Sequence, residues 1–178
     1  MPGVSDRKMN EYTQGAQGAQ VDYFLKLDGI EGESTDHKHK NEIDVMAWSW
    51  GASNTGAMSY GGGGGAGKVS MNDFNFTQRV NKASPKLFLN CANGKHIKSA
   101  VLTCRKAGGE QVEYLKITMS DVLVSSYQTG GSTGDVVPTE NVSLNFSKLE
   151  FSYAAQDNTG KLGSPVVTNW DLKLNKAG

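Results

Sequence analysis

Short runs rich in Val, Ile, Leu, Phe and Tyr recur along the whole chain, and between them lie clusters of Gly, Ser, Asn and Asp. That rhythm predicts strands at 21–28, 43–50, 69–79, 96–106, 111–128, 139–154 and 165–174, because turn residues punctuate each run before it reaches helix length. Within the runs, side chains alternate as a half-buried strand requires. Val69 and Met71 alternate in one phase and Phe74 and Phe76 in the other, so a bulge or bend is expected near Asp73. Val142, Leu144 and Phe146 alternate with Ser143 and Asn145, then Leu149, Phe151 and Tyr153 resume out of phase, which places a second bend near Ser147–Lys148. Bends of this kind let long strands curl.

One segment departs from the rhythm. Ser84 through Lys95 reads as a helix: Ser84 can cap free N–H groups, Pro85 suits the first turn, and Gly94 suits a left-handed end. Leu87, Phe88 and Cys91 would form its apolar face and close one mouth of a barrel. The predicted fold is therefore all-β: a compact barrel of two curled antiparallel sheets with one short flanking helix. Residues 21–178 are expected to form a single domain. Residues 1–20 are polar, rich in Gln, Gly and Ala, and read as a disordered tail, natural or appended.

Glycine is abundant, 22 of 178 residues, which suits a turn-rich β protein and argues against a helical bundle. Eighteen basic residues balance eighteen acidic ones. Nothing in that balance attracts nucleic acid or an anionic membrane, and near-zero net charge lowers repulsion between copies of the same chain. No stretch approaches the roughly 18 apolar residues that span a bilayer. The first twenty residues also lack the apolar core of a secretion signal. Neither nucleic acid nor membrane insertion is expected.

The motifs that suggest chemistry fail in context. Gly61–Lys68 nearly matches a phosphate-binding P-loop, but Val69 replaces the hydroxyl that would hold magnesium, and a strand rather than a helix follows. The run from Gly51 to Gly67 reads as a long loop whose expected role is contact with another subunit. His37 and His39 sit in a charged loop with Glu31, Glu33 and Glu42 nearby, without a pattern that would fix metal geometry, so a solvated or interface-forming loop is expected. There is no G-x-S-x-G and no H-E-x-x-H, and His96 has no evident triad partners. No cofactor, metal or catalytic residue is assigned. Cys91 and Cys104 lack zinc spacing and read as small buried side chains. Trp48 and Trp50 fall on one face of a strand, with small Ala47, Ser49 and Gly51 opposite, as a strand between a core and a close neighbour requires.

Taken in order, the segments VDYFLKLDGIEGES, IDVMAWSWG, SYGGGGGAGKV, SPKLFLNCANGKH, RKAGGEQVEYLKITMSDVLVSSYQTGGS and TENVSLNFSKLEFSY resemble the Hcp family, from Val21 to about Trp170. The resemblance implies a structural subunit of the type VI secretion tube, assembled as a homohexameric ring that stacks on further rings. It also implies the VgrG spike, the contractile sheath and small effector proteins as partners, the last carried in the ring's lumen. On that likeness Gly51, Ser53, Asn54, Met58, Tyr60, Gly61, Gly62, Gly63, Gly64, Gly65 and Lys68 are expected at ring stacking or subunit contact. Ser132, in the turn Thr129–Ser132, is expected to face the lumen and cargo, or else to sit in an ordinary exposed turn. The protein would begin in the bacterial cytoplasm and leave without a cleavable signal. The competing expectation is a monomeric secreted barrel that binds a ligand or carbohydrate. A toxin fused to a tube protein would carry an added C-terminal domain.

Overall fold

A computed structural model of the chain describes residues 21–54, 68–106 and 111–178. Its elements run β1 (Val21–Leu27), β2 (Ile43–Val45), β3 (Ala47–Ser49), β4 (Ala52–Asn54), β5 (Val69–Met71) and β6 (Phe74–Arg79), then helix α1 (Ser84–Asn93). After the helix come β7 (Ile97–Lys106), β8 (Glu113–Gly130), β9 (Thr139–Asn145), β10 (Lys148–Tyr153) and β11 (Val166–Asp171). All strand pairs are antiparallel. Nine strands form one sheet, in the order β2-β1-β7-β8-β9-β6-β3 with β10 and β11 branching from β8, and β4 pairs with β5 alone.

β8 is the spine. It is 18 residues long, and its first half pairs with β7 on one edge and β10 on the other, while its second half pairs with β9. Between the halves Asp121 takes φ 53°, and the β9 register shifts between Val124 and Ser126, so the strand bends as it passes from one wall to the other. The sheet then curls until its ends meet. β2 and β3 stand at opposite ends of the strand order, yet only Met46 separates them in the chain. The Met46 N–H donates to the Thr77 carbonyl at 2.8 Å, so closure there is made by the covalent chain rather than by a ladder.

The alternation read in the sequence fills the interior. Leu25, Leu102, Ile117 and Phe151 lie in register across β1, β7, β8 and β10, with Leu27, Ala100, Met119 and Leu149 in the neighbouring row. On the other wall Trp48, Phe76, Val142 and Tyr127 line up across β3, β6, β9 and β8. Burying such rows supplies most of the driving force, at about 1.5–3 kcal/mol for each fully buried aliphatic or aromatic side chain. The bends expected near Asp73 and Ser147–Lys148 are present as the breaks β5/β6 and β9/β10.

Four local expectations need correction. The predicted strand 43–50 is two strands, because β2 serves β1 while β3 serves β6. Trp50 follows β3 rather than belonging to it. Part of the predicted Gly51–Gly67 loop is strand: Ala52–Asn54 pairs with Val69–Met71. In α1 the cap position is Ala83, without a side-chain cap, since the Asn81 Oδ1 takes the Ala83 N–H at 2.8 Å and Ser84 lies inside the first turn. The buried face of α1 is Ser84, Leu87 and Asn90; Phe88 lies outside that face and is 58% exposed. Gly94 ends the helix at φ 65°, as predicted.

Candidate functional surfaces

The outer face of the β3–β6–β9–β8 wall is set by the same alternation that buries Phe76 and Val142. Ser49, Asn75, Ser143 and Ser126 form one outward row, and Ala47, Thr77, Asn141 and Gln128 the next. These side chains are small or uncharged, and many satisfy one another. Thr77 Oγ1 donates to Asn141 Oδ1 at 2.8 Å, Ser143 donates to Asn75, and Asn145 Nδ2 donates to Asp73 Oδ1 at 2.8 Å. A surface whose hydrogen-bonding groups already pair across strands is polar without being adhesive. Sequence analysis pointed only to its edge, the small residues Ala47 and Ser49. The strand register that joins them to Asn75 and Ser143 is long-range.

The wall has two unpaired edges. Among the described residues β3 pairs only with β6, and the second half of β8 only with β9. Unpaired N–H and C=O groups at such edges are templates for another chain.

The predicted contact residues fall into three groups. Gly51, whose carbonyl accepts the Asn72 N–H at 2.9 Å, leads into the β4–β5 hairpin, where Ser53 pairs with Ser70 and Asn54 with Val69. Ser53, Asn54 and Lys68 are exposed. Met58, Tyr60 and Gly61–Gly65 lie outside the described residues. Ser132 stands apart, in the exposed connection after β8. Its N–H and Oγ both donate to Asp135 Oδ2, at 2.9 and 3.0 Å, while the Asp135 N–H returns to the Ser132 carbonyl. The structure thus does not bring Ser132 together with the hairpin. Beside the hairpin an apolar groove of about 460 Å³ runs between Trp50, Met71, Phe151 and Trp170. The strand that follows Lys68 confirms that the Gly61–Lys68 run does not open a helix.

The opposite wall is covered. Residues 31–42 fold over the outer side of β1 and β7, and there Arg105 is buried with its guanidinium 3.0 Å from Asp22, 2.7 Å from Asp36 and 4.7 Å from the centre of the Phe24 ring. The Arg105 hydrogen bond holds the Asp36 carboxyl well below the usual carboxylate range, with backbone N–H groups of Lys38 and His39 adding to it against the effect of burial. His39 stacks on Phe24 at 4.2 Å, its Nδ1 lying 2.9 Å from Glu42 and its Nε2 3.4 Å from Glu113. The solvated loop expected around His37 and His39 is therefore half right: His37 is exposed, and His39 is a buried clasp. Among the described residues no group of three potential metal ligands converges.

The mouth under α1 is polar. Glu140, fully buried, accepts hydrogen bonds from Gln78 Nε2 at 2.7 Å, Ser84 Oγ at 2.8 Å and the Tyr127 hydroxyl. Burial, then the neighbouring carboxylate, pushes the Tyr127 phenol up to about 12. Elsewhere the Cys104 thiol is raised to about 12 by burial and is unreactive, while Cys91 is half-buried and unpaired. His96 does have a partner, Asp121, whose carboxyl Lys173 and His96 pull down to about 2. The pair, with Lys173 on the other carboxylate oxygen, is an exposed tie between chain segments.

A curled barrel with a bare wall of mostly neutral side chains and, among the described residues, two open edges defines a class of subunit that acts through its surfaces. Comparison with known proteins gives the class its family. The model of the family described as "Type VI secretion system effector, Hcp" matches residues 24–153. The protein hcp1 of Pseudomonas aeruginosa is 52% identical over 157 residues, covering 87% of this chain and 97% of that protein. Among solved structures, Hcp1 from Salmonella typhimurium superposes with a TM-score of 0.75 at 41% identity, covering 89% of this chain and 99% of that one. A structure described as a type six secretion system protein reaches a TM-score of 0.85 at 33% identity, covering 89% and 100%. The chain belongs to the Hcp family and is a structural subunit of the type VI secretion tube, a secreted protein and not an enzyme. None of its described helices is long and apolar enough to cross a membrane.

Proposed function

We propose that six copies close into a ring through the free edges of β3 and β8, and that rings stack into a hollow tube whose lumen is lined by this mostly neutral wall. The observation that carries this reading is the wall itself: unpaired on both edges among the described residues, and covered outside mostly by hydroxyl and amide groups that already satisfy one another. Each ring contact would be heterologous, one copy's β3 edge meeting the next copy's β8 edge, so rotation can close it. Small effector proteins would slide along such a surface because its middle rows offer neither a charge nor an apolar patch to hold them. Ser132, at the rim of that wall, is assigned to cargo contact. The hairpin and the run to Lys68, including Gly51, Ser53, Asn54, Met58, Tyr60 and Gly61–Gly65, are assigned to stacking. The VgrG spike and the contractile sheath complete the partners. The protein is made in the bacterial cytoplasm and leaves through the machine rather than by a cleaved leader.

Light scattering on a sizing column, with negative-stain images of the peak, tests this. Rings near six times the 19.1 kDa chain mass are expected. A monomer at every concentration would sink the proposal and favour a ligand-binding barrel.

A further inference from the structure

The two flanks of the bare wall carry different apolar features. At the β8 flank, α1 turns Phe88 and Leu89 outward, 58% and 55% exposed, although the opposite face of the same helix is buried. Phe88 leans on Tyr127 of β8, ring centres 5.8 Å apart, which leaves Leu89 without cover in the chain's own interior. Lys86 lies one turn before Leu89 on the same exposed side. At the β3 flank, where β2 passes into β3, a recess of about 430 Å³ is lined by Glu33, Asp44, Met46, Arg79, Val80 and Val137. Two of its apolar residues are exposed, Met46 by 51% and Val80 by 37%.

The row Tyr127, Val142, Phe76, Trp48 spans the wall from one flank to the other, three strand spacings or about 14 Å of sheet. Between neighbouring copies the two flanks face each other as soon as a β3 edge approaches a β8 edge. We infer that Leu89 and Phe88 of α1 seat in the Met46–Val80 recess of the adjacent copy and form the apolar centre of the ring contact. Charge favours the same pairing. The helix carries one lysine, Lys86, whose Nζ also reaches the Gly29 carbonyl of its own chain at 3.4 Å, and no acidic residue, and the recess is bordered by two carboxylates, Glu33 and Asp44, against the single guanidinium of Arg79. A large aliphatic or aromatic side chain in a pocket, ringed by polar groups that exclude water, is the usual form of an interface's energetic centre. The buried Glu140 network then has a consequence for assembly, since Ser84 ties the start of α1 to β9 and fixes the angle at which Leu89 is offered. This inference rests on the ring proposed above, and names the side chains that hold it.

Two experiments separate its failure from that of the ring itself. Leu89→Glu is exposed and should fold with an unchanged circular dichroism spectrum. Sedimentation velocity across a dilution series should show ring dissociation at a protein concentration about tenfold or more above that of the unaltered protein. In a Cys91→Ser background, Leu89→Cys combined with Val80→Cys should give a covalent ladder of multimers under mild oxidation, and neither single cysteine should do so. A ring in the unaltered protein with no ladder, and with Leu89→Glu dissociating as the unaltered protein does, overturns the inference and leaves the ring standing. A monomeric unaltered protein overturns both.

Discussion

The outer face of β1 and β7 and the outer face of β6 and β9 differ more than any other two regions of this molecule. Both belong to the same curled sheet, and both have the hydrophobic interior behind them. The first is roofed by residues 31–42 and buries the Arg105 guanidinium between Asp22 and Asp36, with the His39 ring set between Glu42 and Glu113. The second is bare, and pairs hydroxyls with amides in the open. A charge that is buried must be matched, so the roofed face is bound tightly to its own chain. Neutral groups in water gain little from each other and lose little when separated. One face thus serves stability, and the other is left free for partners.

That contrast can be broken most severely at Arg105. Arg105→Ala strips the buried cation from two carboxylates and should cost about 3–5 kcal/mol in a urea unfolding experiment, without changing the bare wall. Next in size comes Glu140→Ala, which leaves Gln78, Ser84 and Tyr127 facing an empty acceptor position; about 1–3 kcal/mol is expected, and Glu140→Gln should recover part of it. The roofed face should also make stability depend on acid. Because the Asp36 carboxyl is held below its ordinary value of 3.8, its contribution is complete above that value and is withdrawn as pH falls below it. Unfolding free energy measured from pH 6 down to pH 2 should therefore decline, and decline less steeply in Asp36→Asn. Smallest of all, Asn75→Ala with Ser143→Ala on the bare wall should shift stability by no more than about 0.5 kcal/mol, since both lie at the exposed surface. A loss of several kcal/mol there would show that the outer ladder is structural, and would undo the comparison.

The fold was legible in the chain wherever the signal was local. Alternation of Phe74, Phe76, Val142 and Leu144 located strands and their inner faces, and the phase slips at Asp73 and Ser147 located the bends. Gly94 located the helix end. The candidate surfaces were less legible. Ser49 and Ala47 could be seen as small, but Asn75, Ser143 and Asn141 read as ordinary strand polar residues until register placed them side by side. His39 looked solvated, because nothing local announces that a ring will stack on Phe24 fifteen positions earlier. Phe88 looked like core for the opposite reason: helical spacing joins it to Leu87 and Cys91, while the mouth beneath α1 is filled by Glu140 and Gln78.

What the sequence by itself determined is the alphabet of elements, the helix that ends at Gly94 and, through six ordered segments, the family. Each of these depends on neighbours within a few residues, or on a likeness spread over the whole chain. Only the tertiary structure decided which wall is roofed and which is bare, that β2 and β3 close the barrel across Met46, and that Arg105 and Glu140 are buried in matched surroundings. Those facts turn on contacts between residues as many as 83 positions apart, as in Arg105 and Asp22, and a strand's own alternation is the same whichever partner lies beside it.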